Sequence, residues 1–189
     1  MIDLSHACRR TADVLADVAD QHLDGPTPCA LMTVGDVVAH VGMLSVAFAA
    51  AARKDLGPLT DTSPDDQPAQ LTPGWRLTYP EHLAELARAW QNPSAWEGMT
   101  RAGGVDLPGD VAGSVALAEV VIHGWDIARS IGRHYDVDDA TARACLQHLA
   151  AFDDAGTQGL FGPAVAVDEA APALDRIVGR SGRDPQWCP

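Results

Sequence analysis

The stretch Val111–Ile131, VAGSVALAEVVIHGWDIARSI, constrains the fold more than any other part of this chain. From Val111 to Trp125 its residues are apolar or small on nearly every side, the pattern of a helix enclosed at the centre of a protein. Glu119 is the only charged residue among those fifteen. An ionised carboxylate in such surroundings is costly unless it is paired or bound to a cation. His123 follows four residues later, and four steps of about 100° leave the two side chains roughly 40° apart on one face. Two arrangements fit that spacing: a Glu–His hydrogen bond closed inside a core, or two ligands offered to one cation.

A cation needs a further ligand, and the segment opening at Thr33 offers one. Thr33, with Asp36 three residues on, reads as a capping box that starts a helix over Val34–Arg53. The apolar stripe of that helix is Val37, Val41, Leu44, Phe48 and Ala51. His40 borders the stripe, roughly −60° from Val37 and close to Leu44 and Ala51 on the wheel. Alone it reads either as a hydrogen-bonded core residue or as a ligand. With Glu119 and His123 it makes two imidazoles and one carboxylate, the set that holds catalytic zinc with the fourth position left to water or substrate. Nickel, iron and manganese suit the same ligands. Bundle proteins build such sites from inward side chains on facing helices.

The rest of the chain reads as helices and loops. Leu4, Cys8, Thr11, Leu15, Val18 and His22 recur at spacings of three and four, predicting an amphipathic first helix that Gly25, Pro26 and Pro28 end. Lys54–Trp75 is polar and aperiodic, so it reads as a long loop, either a binding or lid segment or a disordered one. Thr78, Pro80 and Glu81 signal the next helix start, with Leu83, Leu86, Ala87 and Trp90 inward. The turn-rich Asn92–Asp110 leads into the central helix. Asp138–Asp154, with Leu146, Leu149 and Phe152 inward, and Asp168–Arg180 are two further helices near the C-terminus. Only Ala164–Val167 alternates like a strand. The expectation is an all-α bundle forming one domain over residues 1–189.

Composition narrows the partners. A net charge of −13 argues against nucleic acid and anionic membrane surfaces, which need clustered Lys and Arg. Met1–Arg10 is polar and helical in pattern rather than a secretory leader. No uninterrupted apolar run reaches the ~18 residues of a membrane span. Cys8, Cys29, Cys145 and Cys188 form no C-x-x-C pair, so neither a structural zinc site nor a disulfide framework is expected, and a reducing cytoplasm fits. Cys29 reads as an inert buried thiol. The chain is expected to be a monomer or a homodimer.

The strings TPC (Thr27–Cys29), VGDVVAHVG (Val34–Gly42), EVVIHGWDIARSIG (Glu119–Gly132), LFGP (Leu160–Pro163) and GRDPQW (Gly182–Trp187) occur in this order. Together they resemble the mycothiol-dependent maleylpyruvate isomerase-like proteins of the DinB superfamily, in the short single-domain branch described only as metal-binding. The resemblance implies a DinB-like four-helix bundle, here with additional C-terminal helices and a C-terminal extension at residues 160–189. By motif it assigns a divalent metal to His40, Glu119 and His123. It further implies a thiol-dependent transferase or isomerase, in which the metal binds and activates the thiolate of mycothiol for reaction with a small electrophile. Two features differ from relatives. Leu31 and Met32 stand where a tryptophan often follows the TPC segment. The substrate-binding arginine of the two-domain isomerases lies on a separate domain that this chain does not match, so maleylpyruvate isomerisation itself is not implied.

Other residues near the motif carry two readings each. Asp126, three residues past His123, is placed to orient an imidazole or to pair with Arg129 or Arg133. Arg76 and Arg101 flank the two loops and are candidate contacts for an anionic substrate. Trp125 points away from the ligand face and reads as core. His6, His22, His82, His134 and His148 read as solvated. Two other functions compete with thiol chemistry: a non-catalytic metal or small-molecule binding module, and a metal-dependent hydrolase using activated water. An open coordination position favours chemistry, whereas a fourth protein ligand favours a structural role.

Overall fold

The computed structural model describes residues 1–63, 69–157 and 161–189. The middle of the expected loop Lys54–Trp75 and Leu160 of the LFGP string lie outside the described residues. Four helices form the bundle: α1 (Ser5–Ala16), α2 (Val34–Arg53), α4 (Trp75–Ala89) and α5 (Gly109–Ser130). Helix α2 packs against α4 and α5, and α1 packs against the same two, so α1 and α2 lie across the bundle from each other. The other α-helices among the described residues are the short α3 (Pro58–Asp61) and the C-terminal α6 (Asp139–Leu149) and α7 (Ala173–Arg180).

Helix α2 begins as the sequence predicts, and α5 begins at Gly109, two residues before the expected Val111. Thr33 accepts from the Asp36 amide at 3.2 Å and the Asp36 carboxylate accepts from the Thr33 amide at 2.9 Å, closing the capping box. By length and composition both helices qualify as membrane spans, with mean hydropathies of 1.7 and 1.3. Yet 67% and 78% of those windows are buried inside the bundle, so the apolar surface is used in helix–helix packing.

Several boundaries differ from the sequence reading, each for a local reason. Helix α1 stops at Ala16, and Val18 reaches the core from a tightened turn, its amide donating to Leu15 at 3.2 Å. The period-four spacing to His22 therefore outlasts the helix. Helix α4 starts at Trp75, ahead of Pro80, because Trp75 and Tyr79 are both buried and hold the additional first turn against the bundle. Helix α6 ends at Leu149, its last buried residue, and Phe152 is only half-buried. Helix α7 starts at Ala173, directly after Pro172. Val165 of the strand-like Ala164–Val167 makes a single backbone bond to Gly179 at 2.9 Å and no ladder.

The Asn92–Asp110 segment instead contains an antiparallel hairpin, β1 (Met99–Ala102) and β2 (Val105–Pro108). Its two-residue turn is Gly103-Gly104, with φ of 58° and 79°, the doubly positive pair that a type I′ turn requires. Four residues per strand leave too little alternation to read in the sequence. Thr100 Oγ1 donates to the Ala51 carbonyl at 2.6 Å, so the hairpin ties the end of α2 to the start of α5.

Helix α5 comes close against α1 at Gly124, next to His123. Thr11 Oγ1 donates to the Val120 carbonyl at 3.1 Å and lies 2.8 Å from the Tyr135 hydroxyl. A Cβ on Gly124 would stand 2.3 Å from Thr11 Oγ1 and 2.7 Å from the Tyr135 ring. Gly124→Ala is expected to cost about 1–3 kcal/mol of stability through overpacking, measured by urea denaturation. An unchanged midpoint would show that α1 and α5 have room to separate.

Candidate metal centre

His40 from α2 and Glu119 and His123 from α5 meet at the boundary between the two helices. His40 Nε2 lies 3.3 Å and His123 Nε2 3.2 Å from the same oxygen, Glu119 Oε2. The two imidazole rings stand edge to face, 4.8 Å apart at 80°. Atoms held tetrahedrally 2.0–2.1 Å from a zinc ion are about 3.3 Å from one another, which the two separations from Glu119 match, and all three ligand atoms lie within 4.8 Å of one another. Among the described residues, no fourth His, Cys, Asp or Glu joins this group. The His40 and Glu119 side chains keep 17% and 18% of their surface exposed, which leaves one side of the cluster accessible.

The second nitrogen of His123 decides what the cluster requires. Nδ1 lies 3.0 Å from Asp126 Oδ2, on a carboxylate that is fully buried. A neutral ring that donates its Nδ1 proton to Asp126 presents a bare lone pair at Nε2 towards Glu119. Two electron-rich atoms do not sit 3.2 Å apart in a low-dielectric site without positive charge between or upon them. The charge is either a second proton on the ring or a cation shared with Glu119, and the donor set fits a divalent transition metal. In the metal-free form burial works against a charged ring, but Asp126 and Glu119 outweigh it and push His123 up to about 9. Burial likewise raises Glu119, yet hydrogen bonds from His123 and His40 hold its carboxyl well below the usual range.

Asp126 therefore bonds the His123 ring rather than pairing with Arg129 or Arg133. Arg129 donates instead to the carbonyls of Pro185 and Trp187 at 3.1 and 2.9 Å, and Arg133 pairs with Asp17 at 3.0 Å. The cation on Asp126 is Arg183, at 3.3 and 3.1 Å. Sequence reasoning missed it: GRDPQW was noted as a string, but no spacing connects positions 57 residues apart. Cys29 also comes closer than expected, its Sγ grouping with His123 and Asp126 within 4.8 Å. Cys29 is only partly buried, not buried as the sequence reading has it, and burial raises its thiol pKa with Arg183 opposing. Next to it Leu31 is fully exposed and takes a left-handed φ of 70°.

The remaining candidates are elsewhere. Arg76 donates to Asp20 and the Val18 carbonyl and stacks over Trp75, and Arg101 is ion-paired with Asp61 and Asp106. Neither contacts the three-residue cluster. Trp125 is core, as expected. Of the five histidines read as solvated, only His134 is exposed. His6 is half-buried beside Asp136 and Asp138, His22 accepts from the Ala19 amide, His82 faces Tyr79, and His148 packs edge-on against Phe152. Burial lowers the His148 pKa, with the Glu119 charge acting the other way.

The model of the mycothiol maleylpyruvate isomerase N-terminal domain matches residues 4–128. This chain belongs to that family. An uncharacterized protein of Mycobacterium tuberculosis, recorded in strains CDC 1551 / Oshkosh and ATCC 25618 / H37Rv, is 30% identical over 155 residues, covering 80% of this chain and 74% of that protein. Among solved structures, the mycothiol-dependent maleylpyruvate isomerase and a histidine-to-alanine variant of it superpose with TM-scores of 0.58, at 19% and 18% identity. They match 77% of this chain, which spans 66% of theirs, and at that identity the likeness shows the fold. The family match covers α1 through nearly all of α5 and so takes in His40, Glu119, His123 and Asp126, but not Arg183.

The four thiols sort by burial. Cys8 and Cys145 are pushed up to about 12 by burial, Cys29 is raised, and Cys188 is exposed. A disulfide reagent at mildly alkaline pH is expected to label Cys188 at once, Cys29 more slowly, and Cys8 and Cys145 only on unfolding. Four fast thiols in the native protein would contradict the packing around α1 and α6.

Proposed function

We propose that this protein binds one divalent metal through His40, Glu119 and His123 and uses it as a thiol-dependent transferase or isomerase acting on a small electrophile. The observation that carries the reading is the ring of His123, faced by carboxylates at both nitrogens and completed by a third ligand from α2. Zinc is the metal that this donor set suits best, with nickel, iron or manganese as substitutes. The mycothiol dependence named for the solved isomerase is taken over here as the thiol partner, mycothiol or a close analogue. When bound, the metal lowers the pKa of a thiol in the remaining position from about 8.5 towards neutrality.

The protein's own groups do the positioning. Asp126 fixes the His123 ring, Glu119 supplies the negative charge that balances the site, and His40 closes it from α2. The partly exposed edges of His40 and Glu119 form the side from which a small ligand enters. The free cysteines accord with a reducing cytoplasm, where a low-molecular-weight thiol stays reduced.

Elemental analysis is expected to find one metal per chain, and Glu119→Ala with His123→Ala to abolish it; full retention in that double variant would refute the assignment. Chelation should lower the melting temperature, since ligand at a hundredfold excess over Kd contributes about 2.7 kcal/mol. With cobalt in the site, millimolar thiol should produce a sulfur-to-metal charge-transfer band that is absent in His123→Ala. A cobalt spectrum indifferent to thiols would leave water activation or non-catalytic binding as the function of the same site.

A further inference from the structure

We propose that Arg183, from the segment after α7, is a positioning residue for this site: it holds Asp126 so that Asp126 holds the His123 ring. The proposal uses the metal reading in one arm of its test only. Asp126 is fully buried and Arg183 is 7% exposed, so neither charge is compensated by water. The guanidinium spans the carboxylate, Nε to Oδ1 at 3.3 Å and Nη2 to Oδ2 at 3.1 Å, while Nη1 donates to the Ser181 carbonyl at 2.9 Å. Planar two-point contact fixes the carboxylate's rotation as well as its charge, which an ammonium does not do. Oδ2 is the same oxygen that takes His123 Nδ1. The orientation of the ring thus depends on a side chain outside the matched family domain.

The aim of Arg183 is set by the end of α7. Gly182 has a left-handed φ of 83°, the Gly182 amide donates to Gly179 at 3.0 Å, and the Arg183 amide donates back to Val178 at 2.9 Å. This is a Schellman cap, which reverses the chain and turns Arg183 towards α5. Beyond it Arg129 holds the carbonyls of Pro185 and Trp187, so the segment is fastened to α5 again on the C-terminal side of the ion pair, while the cap fastens it to α7 on the other. The arrangement is built at two ends rather than resting on one surface contact.

The test compares Arg183→Met and Arg183→Lys with wild type and Asp126→Asn. Arg183→Lys keeps the charge and loses the fork, and it serves if Arg183→Met does not fold. The first readout is the His123 imidazole 15N–1H signal of the metal-free protein, which is independent of any metal. In both Arg183 variants the Nδ1 proton is expected to exchange with water and its signal to broaden away, as in Asp126→Asn. The second is cobalt affinity, expected to fall about 10–100-fold, the usual effect of removing a group that orients a ligand. Arg183→Met and Asp126→Asn should share this loss rather than multiply it, since they act along one path. A His123 signal unchanged in the Arg183 variants overturns the proposal, whatever the cobalt affinity. If wild type takes up no cobalt, the metal reading fails and the ring signal alone decides the role of Arg183.

Discussion

A carboxylate on the most enclosed helix of the bundle must be met by positive charge, and the arrangement of the other elements follows from that requirement. Glu119 lies midway along α5, where α5 faces α2, so the answering group has to come from α2 or from α5 itself. Both respond: His40 from one helix and His123 from the other converge on a single oxygen. The hairpin bond from Thr100 to the end of α2 and the close contact of Gly124 with α1 restrict how far α5 can slide or rotate. The packing that buries the helix is the packing that sets the ligand geometry.

In the metal-free form the charges alternate in sign from Glu119 outward, through His123 and Asp126 to Arg183. Buried ion pairs of this kind seldom add net stability, because desolvation consumes much of the Coulombic gain. Removing one member is a different matter, costing roughly 3–5 kcal/mol when a charge is left without its partner. The row is therefore better understood as a device for holding an imidazole at a fixed angle than as a source of folding energy. Its outer end is provided by a helix cap that has no part in the four-helix bundle.

The sequence revealed the centre of the site and obscured its edges. Glu119 and His123 were legible because helical spacing is short-range and an isolated charge in an apolar run stands out. His40 was legible because a capping box fixed the start of α2 and therefore its face. Arg183 was not, since partnership across 57 residues leaves no periodic trace. The hairpin escaped notice because four-residue strands scarcely alternate, although Gly103-Gly104 carried its turn signal. The ends of α1 and α4 were misplaced for a shared reason: buried side chains at Val18 and Trp75 decided where the chain stays against the core, overriding local start and stop residues.

The Schellman cap that directs Arg183 has a temporal consequence. A chain made from its N-terminus exposes His40, Glu119, His123 and Asp126 well before Arg183, which follows Asp126 by 57 residues. At about 5–20 residues per second that interval lasts roughly 3–11 s. For all but the first few residues of that interval the four bundle helices have been made while Arg183 has not, so Asp126 has no guanidinium to meet it. Of the contacts described at the site, the one between Asp126 and Arg183 is the last that synthesis allows.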